Sequence, residues 1–149
     1  MSEIKKVLLP IDFSTASAKI LQYAIFIAEK FNAKIFIVNV TEYPLTLSGD
    51  PTFTSSAVIS AMEKMGSFVE KNKGQIPVSF ESFTLFGHAA EKIIGYAETE
   101  NVDLIIIGSH GHKMLDKMLF GSVAEKVIKL SPCPVLTINT YRLDEEEKS

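Results

Sequence analysis

Asp103-Leu104-Ile105-Ile106-Ile107 runs without a break into Gly108-Ser109-His110-Gly111, and nine residues further on the chain reads Gly121-Ser122. The first stretch is continuously apolar rather than alternating, which predicts a strand covered on both faces. Gly108 ends that strand and lets the chain turn, and Gly111 can take a positive φ or allow a close approach. Gly121 then delivers Ser122 and Val123 as the first residues of a helix over about 122–130. The N–H groups of such a first turn have no partner within the helix and favour an anion. Strand, glycine loop and helix in that order make one βα unit, so the fold depends on how often the unit recurs.

Working outward, it recurs along the chain. Val7-Leu8-Leu9-Pro10-Ile11 is a short buried strand, followed by Ser14 or Thr15 as a helix cap. Ala18, Leu21, Ile25 and Ala28 repeat at helical spacing, and Asn32 is a stop signal. Lys34 to Val40 predicts a second buried strand, and residues 41–54, with two prolines, Gly49 and Asp50, read as a loop. A helix with Val58, Met62, Met65 and Val69 on its buried stripe then ends near Gly74. Val78 to Phe83 alternates and predicts a less covered strand near an edge. After Gly87 and His88, a helix carries Ala90, Ile93, Ile94 and Ala97 at i, i+3, i+4 and i+7. Val135-Leu136-Thr137-Ile138 is the last strand. Strands alternating with helices predict right-handed crossovers, hence a parallel sheet with helices on both faces.

The bulk properties set limits. A chain of 149 residues is most simply one domain that buries roughly 70% of its unfolded surface. Its 46% apolar and 22% charged residues are those of a globular protein, and the net charge of −3 with scattered Lys and Arg argues against nucleic acid or an anionic membrane as the main partner. No run approaches the ~18 apolar residues of a membrane span. Met1 to Lys6 leads into a strand without a signal-peptide plan, so a cytoplasmic location is expected. The lone Cys133, between Pro132 and Pro134, is expected to be a small buried residue.

The spacing G-x2-G-x9-G-S resembles the nucleotide motif of the universal stress protein family, in its ATP-binding subgroup, and the similarity extends from Val7 to Ile138. The resemblance implies one doubly wound five-stranded α/β sheet of order 3-2-1-4-5, of the adenine-nucleotide alpha-hydrolase-like kind. It implies a family domain over 1–141; the charged residues after it, too few to pack, predict a short acidic tail over 142–149. Ligands of such sheets bind where the strand order reverses, beyond the carboxyl ends of strands 1 and 4. Pro10-Ile11-Asp12 and Ile107 to Gly111 fall there. The implied ligand is ATP, alone or with Mg2+ or Mn2+, contacted by Pro10, Ile11, Asp12, Val40, Ile107, Gly108, Ser109, His110, Gly111, Gly121, Ser122 and Val123. Pro10 would shape the base pocket, the Val40 backbone would meet adenine, and Asp12 would face the base or ribose. Homodimerisation through Val135, Leu136 and Ile138 is also implied, matching the rule that an apolar edge strand invites pairing. The implied role is a nucleotide-binding regulator of the stress response.

Blander readings stand beside these. Asp12 can be a turn residue that accepts the N–H groups of Ser14 or Thr15. His110 and His112 can be idle loop residues, and Lys113 and Lys117 a solvated face. Several chemistries are absent from the sequence: no P-loop, no G-x-S-x-G, H-E-x-x-H or C-x-x-C, and no glycine in Asp12 to Ala18 for a flavodoxin-type or pyrophosphate loop. A response regulator needs an Asp after strand 3, where the chain reads Thr84-Leu85-Phe86-Gly87. A fast NTPase is not expected; slow hydrolysis or autophosphorylation is compatible, and no catalytic or metal-ligand set is assigned. The alternative function is a nucleotide-independent dimeric scaffold acting through protein contacts.

Overall fold

In the computed structural model, which describes residues 3–42, 51–110, 120–140 and 142–143, strands and helices alternate. In chain order they are β1 (Lys6–Pro10), α1 (Thr15–Phe31), β2 (Lys34–Thr41), α2 (Pro51–Asn72), β3 (Phe80–Phe86), α3 (Ala89–Thr99), β4 (Leu104–Gly108), α4 (Ser122–Leu130) and β5 (Val135–Ile138). The five strands form one sheet in the order β3-β2-β1-β4-β5, every pairing parallel. The strand order reverses between β1 and β4, as the family resemblance implied.

Alternate residues of the central strands enter two cores. Leu9, Ile35, Ile37 and Ile106 pack with Leu21, Ala24 and Ala28 of α1 and Met65 of α2. Leu8, Val38, Ile105 and Ile107 face the other way, onto Ile93 and Ala97 of α3 and Val127 of α4. A strand sandwiched in this way favours apolar residues on both faces, which is why β1, β2 and β4 read as largely continuous apolar runs, Asn39 of β2 being the buried polar exception. At the lower end, the Asp103 carboxylate accepts the Lys5 and Lys6 N–H groups at 2.9 Å each and fixes β1 beside β4. Among the described residues no helix is long and apolar enough to cross a membrane.

Four expectations are corrected. Helix α2 begins at Pro51, inside the stretch read as a loop; proline suits a first helical turn, whose N–H is not required. Residues 43–50 of that stretch lie outside the described residues. The buried stripe of α2 passes through Ala61 and Met65, whereas Met62 is 62% exposed. Strand β3 starts later and ends later than its alternation suggested, because pairing with β2 runs from Ile35↔Phe80 to Thr41↔Phe86. Its edge position is as expected, and Gly87, with φ +137°, makes the turn into α3. Cys133 is only half-buried, packed against the second core.

Candidate functional site

The upper ends of β1 and β4 diverge around a cavity of about 270 Å³. Pro10, Ile11 and Asp12 reach it from β1, Val40 from β2, Ile107, Gly108 and His110 from β4, and Gly121, Ser122 and Val123 from the start of α4. Thus residues from four separate elements line one cavity. Ser109 does not line the cavity and is 5% exposed. Gly111, His112, Lys113 and Lys117 lie outside the described residues.

Asp12 does local work in the turn after β1. Its Oδ1 accepts the Ser14 N–H at 3.0 Å and the Ser17 hydroxyl at 3.2 Å. Ser14 occupies the cap position of α1, but its hydroxyl makes no capping bond; the carboxylate does the holding. Phe13 follows with φ 62°, a conformation bulky residues seldom adopt, and its ring lies edge-on to Phe68 of α2 at 6.2 Å.

Across the cavity, the turn after β4 is tied at several points. The Ser109 N–H donates to the Ile138 carbonyl, and the Ser109 carbonyl accepts the Gly121 N–H, both at 2.8 Å. The Ser109 hydroxyl sits 2.7 Å from His110 Nδ1. The imidazole lies near-parallel to the Phe120 ring, 6.5 Å between centroids. Gly108 is required for room rather than for a positive φ: a Cβ there would stand 2.6 Å from Thr140 Cγ2 and 3.1 Å from Ile20 Cδ1. Gly121 caps α4 at φ −62°, ψ 151°, an extended geometry open to any residue, and as a glycine it contributes no capping side chain.

The sequence reading missed Ser14, Ile20, Asn39, Ala89, Ile93, Ala124 and Thr140, which also line the cavity. Asn39 was the one with a visible signal, a polar residue within the apolar run of β2. It is 8% exposed, donates to the Ile11 carbonyl at 2.9 Å and accepts the Thr41 hydroxyl at 2.8 Å. It therefore braces the cavity floor. The remaining walls are mainly aliphatic, suited to an apolar, flat group. Among the described lining residues Asp12 is the only carboxylate and His110 the only group able to be cationic, and no cluster of three metal-binding side chains occurs among the described residues.

Residues 3–139 match the Universal stress protein family. The chain belongs to this family. A universal stress protein of Methanocaldococcus jannaschii is 32% identical over 138 residues, covering 90% of this chain and 81% of that one. In structure, a universal stress protein from Lactobacillus plantarum superposes with a TM-score of 0.81 at 21% identity, over 93% of this chain and 100% of the other. A universal stress protein from Archaeoglobus fulgidus, solved in complex with dAMP, has a TM-score of 0.68 at 19% identity, over 93% and 100%. At those identities the two structures speak for the family fold.

Proposed function

We propose that this chain is an adenine-nucleotide-binding regulatory module of the stress response, of the family's ATP-binding subgroup, and that the cavity between β1 and β4 takes ATP. The observation that carries this reading is the opening of α4. Its first turn has a glycine at the cap, no capping side chain, and faces the same cavity as Asp12 and the aliphatic walls. Ser, Thr, Asp and Asn caps cover one N–H of the first turn with a side-chain oxygen; a glycine cap brings no such oxygen, which suits a helix start whose N–H groups are to meet phosphate oxygens. The walls formed by Pro10, Val40 and Ile93 suit the base, and the dAMP complex of the Archaeoglobus relative supports an adenine ligand. Mg2+ or Mn2+ would be held by the phosphates and waters with Asp12 as the carboxylate among the described lining residues, a donor set common for Mg2+. The reading requires no turnover.

Titration of nucleotide-stripped protein with Mg-ATP in a calorimeter tests this reading. We expect saturable binding near one nucleotide per chain, abolished by Gly121→Val in a folded protein, because valine fits the observed φ and ψ while its methyl groups occupy the phosphate side. Wild-type affinity in that variant would remove the phosphate role from α4.

A second reading has its own observation. β5 is the outermost strand of the sheet, and its Leu136 is 37% exposed. We propose that a second copy of the chain pairs there, through Val135, Leu136 and Ile138. Absence of nucleotide binding by folded protein would leave this dimer as the functional unit, acting as a scaffold for other proteins.

A further inference from the structure

Thr140 lies two residues beyond the end of β5 and is 4% exposed, yet its hydroxyl is fully engaged with a different part of the chain. It accepts the His110 N–H at 3.1 Å and donates to the His110 carbonyl at 2.9 Å. A hydroxyl has one proton and two lone pairs, so it can make both bonds at once. The methyl group of the same side chain fills the space that only a glycine at position 108 leaves open.

The setting explains why a side chain is needed there. β4 and β5 remain in register up to Gly108↔Ile138, and the Ser109 N–H still donates to Ile138. At Ser109 the ladder stops, because its carbonyl turns to the Gly121 N–H. Beyond that point the Thr140 hydroxyl takes the place of a strand partner, meeting both the N–H and the carbonyl of His110. We propose that Thr140 is the positioning residue of the site. It grips His110 by both backbone poles and Gly108 by contact, and so sets the phosphate-side turn before ligand arrives. This role rests on the nucleotide reading for its consequence in binding, though not for its effect on the turn.

The test compares Thr140→Val, which keeps the shape and loses the hydroxyl, with Thr140→Ser, which keeps the hydroxyl. Two quantities are read: amide exchange of His110 in ligand-free protein, with β1 amides as an internal reference, and the dissociation constant for Mg-ATP. We expect Thr140→Val to speed His110 exchange and to raise the dissociation constant, each by about tenfold, the worth of a lost hydrogen bond or two. Thr140→Ser should return both toward wild type. Unchanged His110 exchange in folded Thr140→Val overturns the positioning role, as does a rise shared equally by β1, which would signify general loss of stability. If exchange responds but the dissociation constant does not, the positioning role in binding is overturned. Should the wild-type chain bind no nucleotide, the functional reading falls, while the exchange comparison still decides whether Thr140 holds the turn.

Discussion

Asp12 lines the cavity and also holds the first turn of α1, so substitutions there separate the observed turn role from the proposed ligand contact. Removing it by Asp12→Ala strips an acceptor from the fully buried Ser17 hydroxyl and should cost about 1–3 kcal/mol of stability in denaturant titration. Asp12→Asn keeps an Oδ1 acceptor and removes only the charge. We expect it to unfold close to wild type yet bind Mg-ATP about tenfold more weakly, the scale of one charge-assisted contact; wild-type affinity in Asp12→Asn would confine the residue to the turn. Cys133 offers a test by pH. Burial pushes its thiol up from the ordinary range, opposed by the Ser131 hydroxyl. A raised folded pKa means that the stability from the neutral thiol is whole below the ordinary thiol pKa and declines as pH rises through the folded one. Stability measured from neutral to alkaline pH should therefore fall more steeply in wild type than in Cys133→Ala; identical slopes would contradict the shift.

Helix α2 shows what a local pattern leaves undecided. Val58, Met62, Met65 and Val69 are spaced for one stripe, but a neighbouring stripe through Ala61, Met65 and Phe68 is equally regular, and packing against α1 and the sheet selected it. Met65→Ala should cost about 2–4 kcal/mol, as a large-to-small change in a core, and Met62→Ala no more than about 0.5 kcal/mol; chemical denaturation of both variants checks the assignment. The apolar runs of β1, β2 and β4 were legible because burial on both faces disfavours any polar residue that is not hydrogen-bonded, as Asn39 is. β3 was shifted because its limits are set by pairing with β2, which its own alternation does not encode. The same division holds at the cavity. Glycines and Asp12 announced themselves by residue type, Asn39 was readable as a polar intruder, and Ala89, Ile93 and Thr140 were hidden because only the folded crossovers bring them near β1.

The whole sheet has two unlike edges. β3 carries exposed polar residues, Glu81 and Ser82 among them, while β5 exposes Leu136. Charge on an edge strand discourages pairing and an apolar one favours it, so the proposed contact between copies belongs to β5. Leu136→Lys should convert the protein to a monomer in sedimentation equilibrium while its calorimetric response to Mg-ATP persists; a dimer unaffected by the lysine would move the contact elsewhere. One further property follows from the 2.8 Å bond between the Ser109 carbonyl and the Gly121 N–H. The bond couples the end of β4 to the threshold of α4, and both form lips of the same cavity. Whatever displaces one lip must therefore carry the other with it, so a visitor that presses on the strand end is felt at the helix start as well.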